Sequence, residues 1–320
     1  MNVDENQSKP VEQNQVIEKI LDNLSLIIKG KSQILRDIII SILGGVNILL
    51  EDVPGTGKTT LAKGLARSIE GDFRRIQFTP DLLPADVLGS TVYNPREGSF
   101  YFKQGPVFTN ILLADEINRA SPRTQSSLLE AMNESQVTID GVRHPLPEFF
   151  MVVATQNPVE FHGTYPLPEA QLDRFGISLT LGYPAVEDEV DVYYTQNERH
   201  PIEDLKAVAD LSHMSDLQGR VKKVRVSKPV AYYIANIADA SRNHPELKLG
   251  VSTRGSLMLY RMIQARAFME GREYTTPDDV KAMAVKVLAH RLVLDTKARY
   301  SGMTKAQIIE DILKTTPVPT

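Results

Sequence analysis

The sequence predicts a three-layer α/β domain with a parallel sheet, followed by a small all-helical domain. Three observations predict it. Apolar runs of strand length recur at 46–50, 111–114 and 149–154, with weaker ones at 75–78 and 177–181. Segments of helical period stand between them, the alternation expected of a parallel sheet with crossover helices. After Tyr183-Pro184 the strand-like runs nearly vanish, and the net charge moves from −6 over residues 1–184 to +2 over 185–320. The boundary therefore falls at 184. Residues 1–15 are expected to be a mobile tail, 16–184 the α/β domain and 185–320 the helical domain.

Each element has its own signal. Val16, Ile20, Leu21 and Leu24 recur at helical spacing, and a second helix spans about 31–43. The run 46–50 ends in Glu51-Asp52-Val53-Pro54-Gly55, which reads as a buried strand breaking into a turn. Leu61, Leu65 and Ile69 mark a helix over 59–69. Ser121 is placed to cap a helix with Pro122 at its first position and Leu128, Leu129 and Met132 on its apolar face. In the second half, 227–241, 253–269, 277–290 and 304–314 read as helices. Thr276-Pro277-Asp278-Asp279 starts one of them, with acids at the positive end of its dipole. Met258, Met262 and Met269 fall on one helix and read as core.

The composition excludes several chemistries. The 320 residues include 36 Lys and Arg against 40 Asp and Glu, a formal charge of −4, so a chain-wide basic footprint for nucleic acid is missing. No cysteine is present, which removes disulfide scaffolds, zinc–thiolate and iron–sulfur ligation and cysteine catalysis. The six histidines are scattered without metal-ligand spacing, and no nucleophile elbow supports a Ser-His-Asp triad. The longest charge-free apolar stretch, 38–50, is thirteen residues, short of the roughly twenty a membrane helix needs. The polar N-terminus lacks the apolar core of a secretory signal. The expectation is a soluble cytoplasmic protein.

Pro54-Gly55-Thr56-Gly57-Lys58-Thr59 carries the sharpest chemical signal, because a strand precedes it and a helix follows. A triphosphate needs several backbone N–H groups turned inward, and glycines allow the close approach. The segment Val53, Pro54, Gly55, Thr56, Gly57, Lys58, Thr59 and Thr60 is the expected nucleotide cradle. Lys58 meets the β- and γ-phosphates, and the Thr59 hydroxyl ligates Mg²⁺. The full template opens with a glycine where this chain has Asp52, a side chain expected to point away from phosphate. A dinucleotide fingerprint would need glycine at position 60, which is Thr60.

Ile111-Leu112-Leu113-Ala114 runs into Asp115-Glu116. Asp115 is expected to hold Mg²⁺ and Glu116 to polarise the attacking water, which favours hydrolysis over transfer to another acceptor. Asn157 ends another buried run, where it can orient that water. Arg174, in Leu172-Asp173-Arg174-Phe175, is the candidate arginine finger, with Arg119 and Arg123 as rivals. Arg254 opens a helix of the second domain, from which it can reach the γ-phosphate and couple domain angle to nucleotide state.

Together these pieces resemble an AAA+ ATPase, and more narrowly the MoxR family. The resemblance rests on LLEDVPGTGKT at 49–59, LLADEINRASPRTQSSLLEAM at 112–132, ATQNP at 154–158 and GTYPLPEAQLDRF at 163–175. It implies Walker A roles for Lys58 and Thr59 and Walker B roles for Asp115 and Glu116. It further implies sensor 1 at Asn157, a finger at Arg174 and sensor 2 at Arg254. ATP or ADP with Mg²⁺ is the implied cofactor. The implied activity is chaperone-like remodelling of client proteins by a hexameric ring, often beside proteins with von Willebrand factor A domains and metal-ion-dependent adhesion sites. Two inserts follow from the resemblance: an aromatic hairpin over 89–103 turned at 95–98, and another over 136–149 turned at Asp140-Gly141. Either faces a pore or client, or packs on its own chain. Two other functions compete: an AAA+ motor or loader acting on nucleic acid, which needs a basic, aromatic-lined pore, and a nucleotide-gated scaffold with little turnover.

Overall fold

In the computed structural model of the chain, residues 9–157, 164–198 and 201–319 are described. Helices α1 (Lys9–Ile27) and α2 (Ser32–Leu43) lead into β1 (Ile48–Glu51) and α3 (Lys58–Ser68). Next come β2 (Phe73–Gln77), the short α4 (Pro84–Leu88), and a hairpin of β3 (Gly89–Asn94) and β4 (Ser99–Gln104). Strand β5 (Ile111–Asp115) is followed by α5 (Pro122–Glu134), the hairpin β6 (Gln136–Ile139) and β7 (Val142–Pro145), β8 (Met151–Gln156), α6 (Glu169–Leu172) and β9 (Ile177–Leu179). The remaining elements are α7 (Val186–Glu198), α8 (Leu211–Val221), α9 (Lys228–Arg242), β10 (Leu247–Leu249), α10 (Thr253–Met269), α11 (Pro277–Leu288), β11 (Val293–Leu294), α12 (Thr296–Tyr300) and α13 (Lys305–Thr315). No described helix is long and apolar enough to cross a membrane.

Five parallel strands form the central sheet in the order β2-β5-β8-β1-β9. Their side chains alternate between two faces. Ile48, Leu50, Ile111, Leu113, Met151 and Val153 join the core shared with α1, α2 and α3. Leu49, Leu112, Ala114, Val152 and Ala154 join the core under α5. Both faces are covered, which is why these strands read as continuous apolar runs rather than alternating ones. The same alternation puts Asp115 and Thr155, the next residues in period, on the α3 face.

The helical half follows its caps. Ser227, Ser252 and Thr304 each accept a backbone N–H at the start of α9, α10 and α13. Thr276 and Asp279 form a capping box at α11. Asp279 is buried and bridges Arg272 and Arg266. Met262 and Met269 are buried on α10, with Met258 packed against the same core.

Two sequence expectations need correction. Helix α1 begins at Lys9, so residues 9–15 of the expected tail are helical; its apolar face starts only at Val16, and its first turns carry no periodic signal. Residues 1–8 lie outside the described residues. The helical half also contains a small antiparallel pair, β10 with β11, too short to stand out as apolar runs.

Candidate active site

The C-terminal ends of β1, β8 and β5 are adjacent, and each carries one of the sequence signals. The loop 52–57 leaves β1, Asn157 follows β8, and Asp115-Glu116 ends β5. Strands β1 and β5 flank β8, so their ends lie about 10 Å apart, two strand spacings.

Gly55 and Gly57 have φ of 84° and 88°, the left-handed region that favours glycine. A Cβ on Gly55 would meet nothing within 4 Å, so backbone geometry rather than crowding dictates that glycine. Helix α3 begins at Lys58, and its N-terminal N–H groups and positive dipole end favour an anion there. The Lys58 ammonium donates to the carbonyls of Val53 at 2.7 Å and Asp52 at 3.1 Å, curled into its own loop.

The Asp52 side chain turns away from the loop, as expected, but it is buried rather than solvated. Its carboxylate accepts from the backbone N–H of Leu181 at 2.6 Å and of Gly182 at 3.1 Å. The residue that replaces the template glycine thus ties the start of the loop to the chain leaving β9.

Asp115 is held on both oxygens. The Thr155 hydroxyl donates to Oδ1 at 2.6 Å, and Arg75 pairs with Oδ2 at 2.6 Å. The same Thr155 oxygen accepts the backbone N–H of Glu116 at 2.8 Å. Glu116 has φ of 54°, unusual for a residue with a side chain. Its Oε2 accepts from Gln77 Nε2 at 2.7 Å and from Arg119 at 2.9 Å. The carboxylate of Asp115 and the hydroxyl of Thr59 are hard oxygen donors, the type magnesium takes together with phosphate and water. They fit that ion. Among the described residues no cluster of three or more His, Asp or Glu could cage a metal unaided.

Asn157 is buried directly after the end of β8. Arg174 follows α6 and donates to the Leu129 carbonyl on α5 at 2.7 Å. Arg254 is exposed in the first turn of α10. Arg119, a rival finger, is in the Glu116 ion pair; Arg123 is exposed on α5. The structure therefore carries Lys58, Thr59, Asp115, Glu116 and Asn157 at neighbouring strand ends, with Arg119 paired to Glu116, and sets Arg174 against α5 and Arg254 on α10. Pro158, Gly163, His162 and His200 lie outside the described residues. A cavity of about 740 Å³ lies between the strand ends and the helical half, lined by Gln156, His290 and Lys305 but by no residue of 52–60.

Residues 47–177 match the family described as ATPase family associated with various cellular activities (AAA), and residues 239–312 match the AAA lid domain. The chain is 36% identical to Chaperone MoxR1 of Mycobacterium tuberculosis over 95% of its length and 82% of that protein's. It belongs to the MoxR family of AAA+ ATPases. Uncharacterized protein YeaC of Bacillus subtilis is 45% identical, covering 95% of both chains. The crystal structure of a “putative ATPase” from Cytophaga hutchinsonii superimposes with a TM-score of 0.90 at 37% identity, covering 98% of each chain. The α/β expectation and the MoxR resemblance are both borne out, and family membership supports ATPase activity.

Thr155, Arg75 and Gln77 also hold the acidic pair. Thr155 carried one usable signal: a polar residue in period with Met151 and Val153, at the end of an otherwise apolar strand.

Proposed function

We propose that this chain hydrolyses ATP with Mg²⁺ and that the cycle drives remodelling of a partner protein. The observation that carries the hydrolysis is the adjacency of the P-loop, Asp115-Glu116 and Asn157 on neighbouring strand ends. A bound Mg²⁺, held by Thr59 and Asp115, supplies charge neutralisation of the β- and γ-phosphates. Lys58 leaves the Val53 and Asp52 carbonyls for the phosphates, exchanging neutral acceptors for charged ones. Glu116 accepts the proton of the attacking water, and Asn157 helps hold that water in line. Thr155 fixes both acids by bonding the side chain of one and the backbone of the other.

Arg174 acts in a neighbouring subunit, and Arg254 reads the γ-phosphate. The attachment of Arg174 to α5 supports a role in trans and hence a ring, hexameric by family resemblance. The name Chaperone MoxR1 supports a protein client. The β3–β4 hairpin supports it too: Tyr93, Phe100 and Tyr101 are at least half exposed at its tip. Phe102 of the same hairpin instead stacks on His144 of β7, with ring centroids 3.9 Å apart, bracing the two hairpins. Within this reading, a von Willebrand factor A-domain partner follows from family resemblance.

The test is phosphate release by the wild type and by Glu116→Gln at concentrations that permit assembly. The general base accounts for about 100-fold or more, so Glu116→Gln is expected to bind ATP and release little phosphate. Equal release by both proteins would refute the hydrolytic reading, and strong binding without wild-type turnover would favour the scaffold.

A further inference from the structure

The segment that carries Arg174 is gripped by the helical half of its own chain. Arg291 lies beyond the end of α11 with its side chain buried. Its Nε pairs with the Asp173 carboxylate at 3.0 Å, and its Nη2 donates to the Phe175 carbonyl at 2.6 Å. The residues on both sides of Arg174 are therefore held by one guanidinium. A third bond, to the Val287 carbonyl, anchors that guanidinium to α11. Phe175 is fully buried in the core under α5, so the grip connects that core to the helical domain.

The same carboxylate has a second partner. The Ser252 hydroxyl donates to Asp173 at 2.9 Å while accepting the N–H of Gly255 as the cap of α10. Arg254 stands two residues further on. The approach is close: a Cβ on Gly255 would lie 2.8 Å from Cδ of Arg291, so only glycine lets α10 settle over that side chain. Arg174 itself is lightly held. Its Nη1 bonds Leu129, while its buried Nε has no partner among the described residues. Its placement then depends on its neighbours, and both neighbours answer to the helical domain.

We propose that Asp173 is a positioning residue that joins the cap of α10 to the Arg174 segment, so that the angle of one subunit's helical domain sets the reach of its arginine into the next subunit's site. The inference rests on the reading of Arg174 as a finger in trans and of Arg254 as the γ-phosphate sensor. Movement of α10 by even a fraction of a helical turn must stretch the Ser252–Asp173 bond or drag Asp173 with it. Arg291, in the same helical domain, bonds the same carboxylate, so it carries Asp173 with that domain as it turns. Nucleotide state in one site is thereby transmitted to catalysis in its neighbour, with Asp173 as the joint on which the α10 cap acts.

The test uses two caps on the full chain. Ser252→Asp keeps an N-cap acceptor but sets a carboxylate against Asp173, breaking the joint. Ser252→Asn keeps both the cap and a donor for Asp173. Misplacing a catalytic group by about 1 Å costs up to about 100-fold, so Ser252→Asp is expected to lower kcat by about tenfold or more. Nucleotide affinity and melting temperature stay close to wild type, and Ser252→Asn retains most of the turnover. Equal turnover in the two variants, whether both high or both low, overturns the proposal. Arg174→Ala is measured alongside and separates the premises: full turnover in that variant refutes the finger, whereas its loss beside an unaffected Ser252→Asp refutes only the joint.

Discussion

Replacing Thr155 by valine removes one oxygen atom and almost no volume. The side chain is 1% exposed, so no water stands ready to replace it. Two bonds are lost: the donation to Asp115 Oδ1 at 2.6 Å and the acceptance of the Glu116 N–H at 2.8 Å. A hydrogen bond to a charged group contributes about 1.5–3 kcal/mol, and an orphaned buried N–H costs about 1–3 kcal/mol. The two share one oxygen and do not add fully, so the net loss is about 3 kcal/mol. For an α/β unit of this size that lowers the melting temperature by roughly 6–12 °C. Thr155→Ser is the control, since it keeps both bonds and loses only a methyl, about 1 kcal/mol. Thermal unfolding followed by circular dichroism separates the variants, and phosphate release is expected to fall in the valine protein because both acids lose their tether. A valine variant that melts with, or above, the serine variant and turns over normally would show that Thr155 does not tether the two acids.

Other expectations follow from neighbouring contacts. Asp52→Gly restores the template glycine yet strands the N–H groups of Leu181 and Gly182; it is expected to cost roughly 2 kcal/mol in denaturant unfolding without tightening ATP binding by calorimetry. Asp279 is buried, and burial works against its charge, but Arg272 and the Thr276 cap outweigh that and hold its pKa below the usual value. Its contribution is therefore present above the unfolded carboxyl pKa, about 4, and is lost as pH falls through the lower folded value. Asp279→Asn should cost about 3 kcal/mol near neutral pH, and the gap between the two melting curves should close in acid.

What the sequence made legible was local. The P-loop, the buried strands and the Ser121 and Thr276 caps are written in neighbouring residues, and the structure places them where spacing puts them. What escaped depends on which strand lies beside which. Thr155 meets Asp115 only because β8 pairs with β5, forty residues earlier in the chain. Arg75 reaches Asp115 because β2 lies on the other side. Asp52 looked like a defect in a motif; its partners, 129 and 130 residues downstream, turn it into a tie across the base of the loop. The polar start of α1 escaped for a different reason: helix without an apolar face leaves no period to read.

Hydrolysis at these strand ends requires the triphosphate to be gripped by the loop between β1 and α3. Crystals grown with a nonhydrolysable ATP analogue and Mg²⁺ test this most directly. The expected density shows the Lys58 ammonium withdrawn from Val53 and Asp52 and set against the terminal phosphates, with Thr59 and Asp115 on the metal side. Density for the analogue elsewhere, with Lys58 still on its own carbonyls, would contradict it.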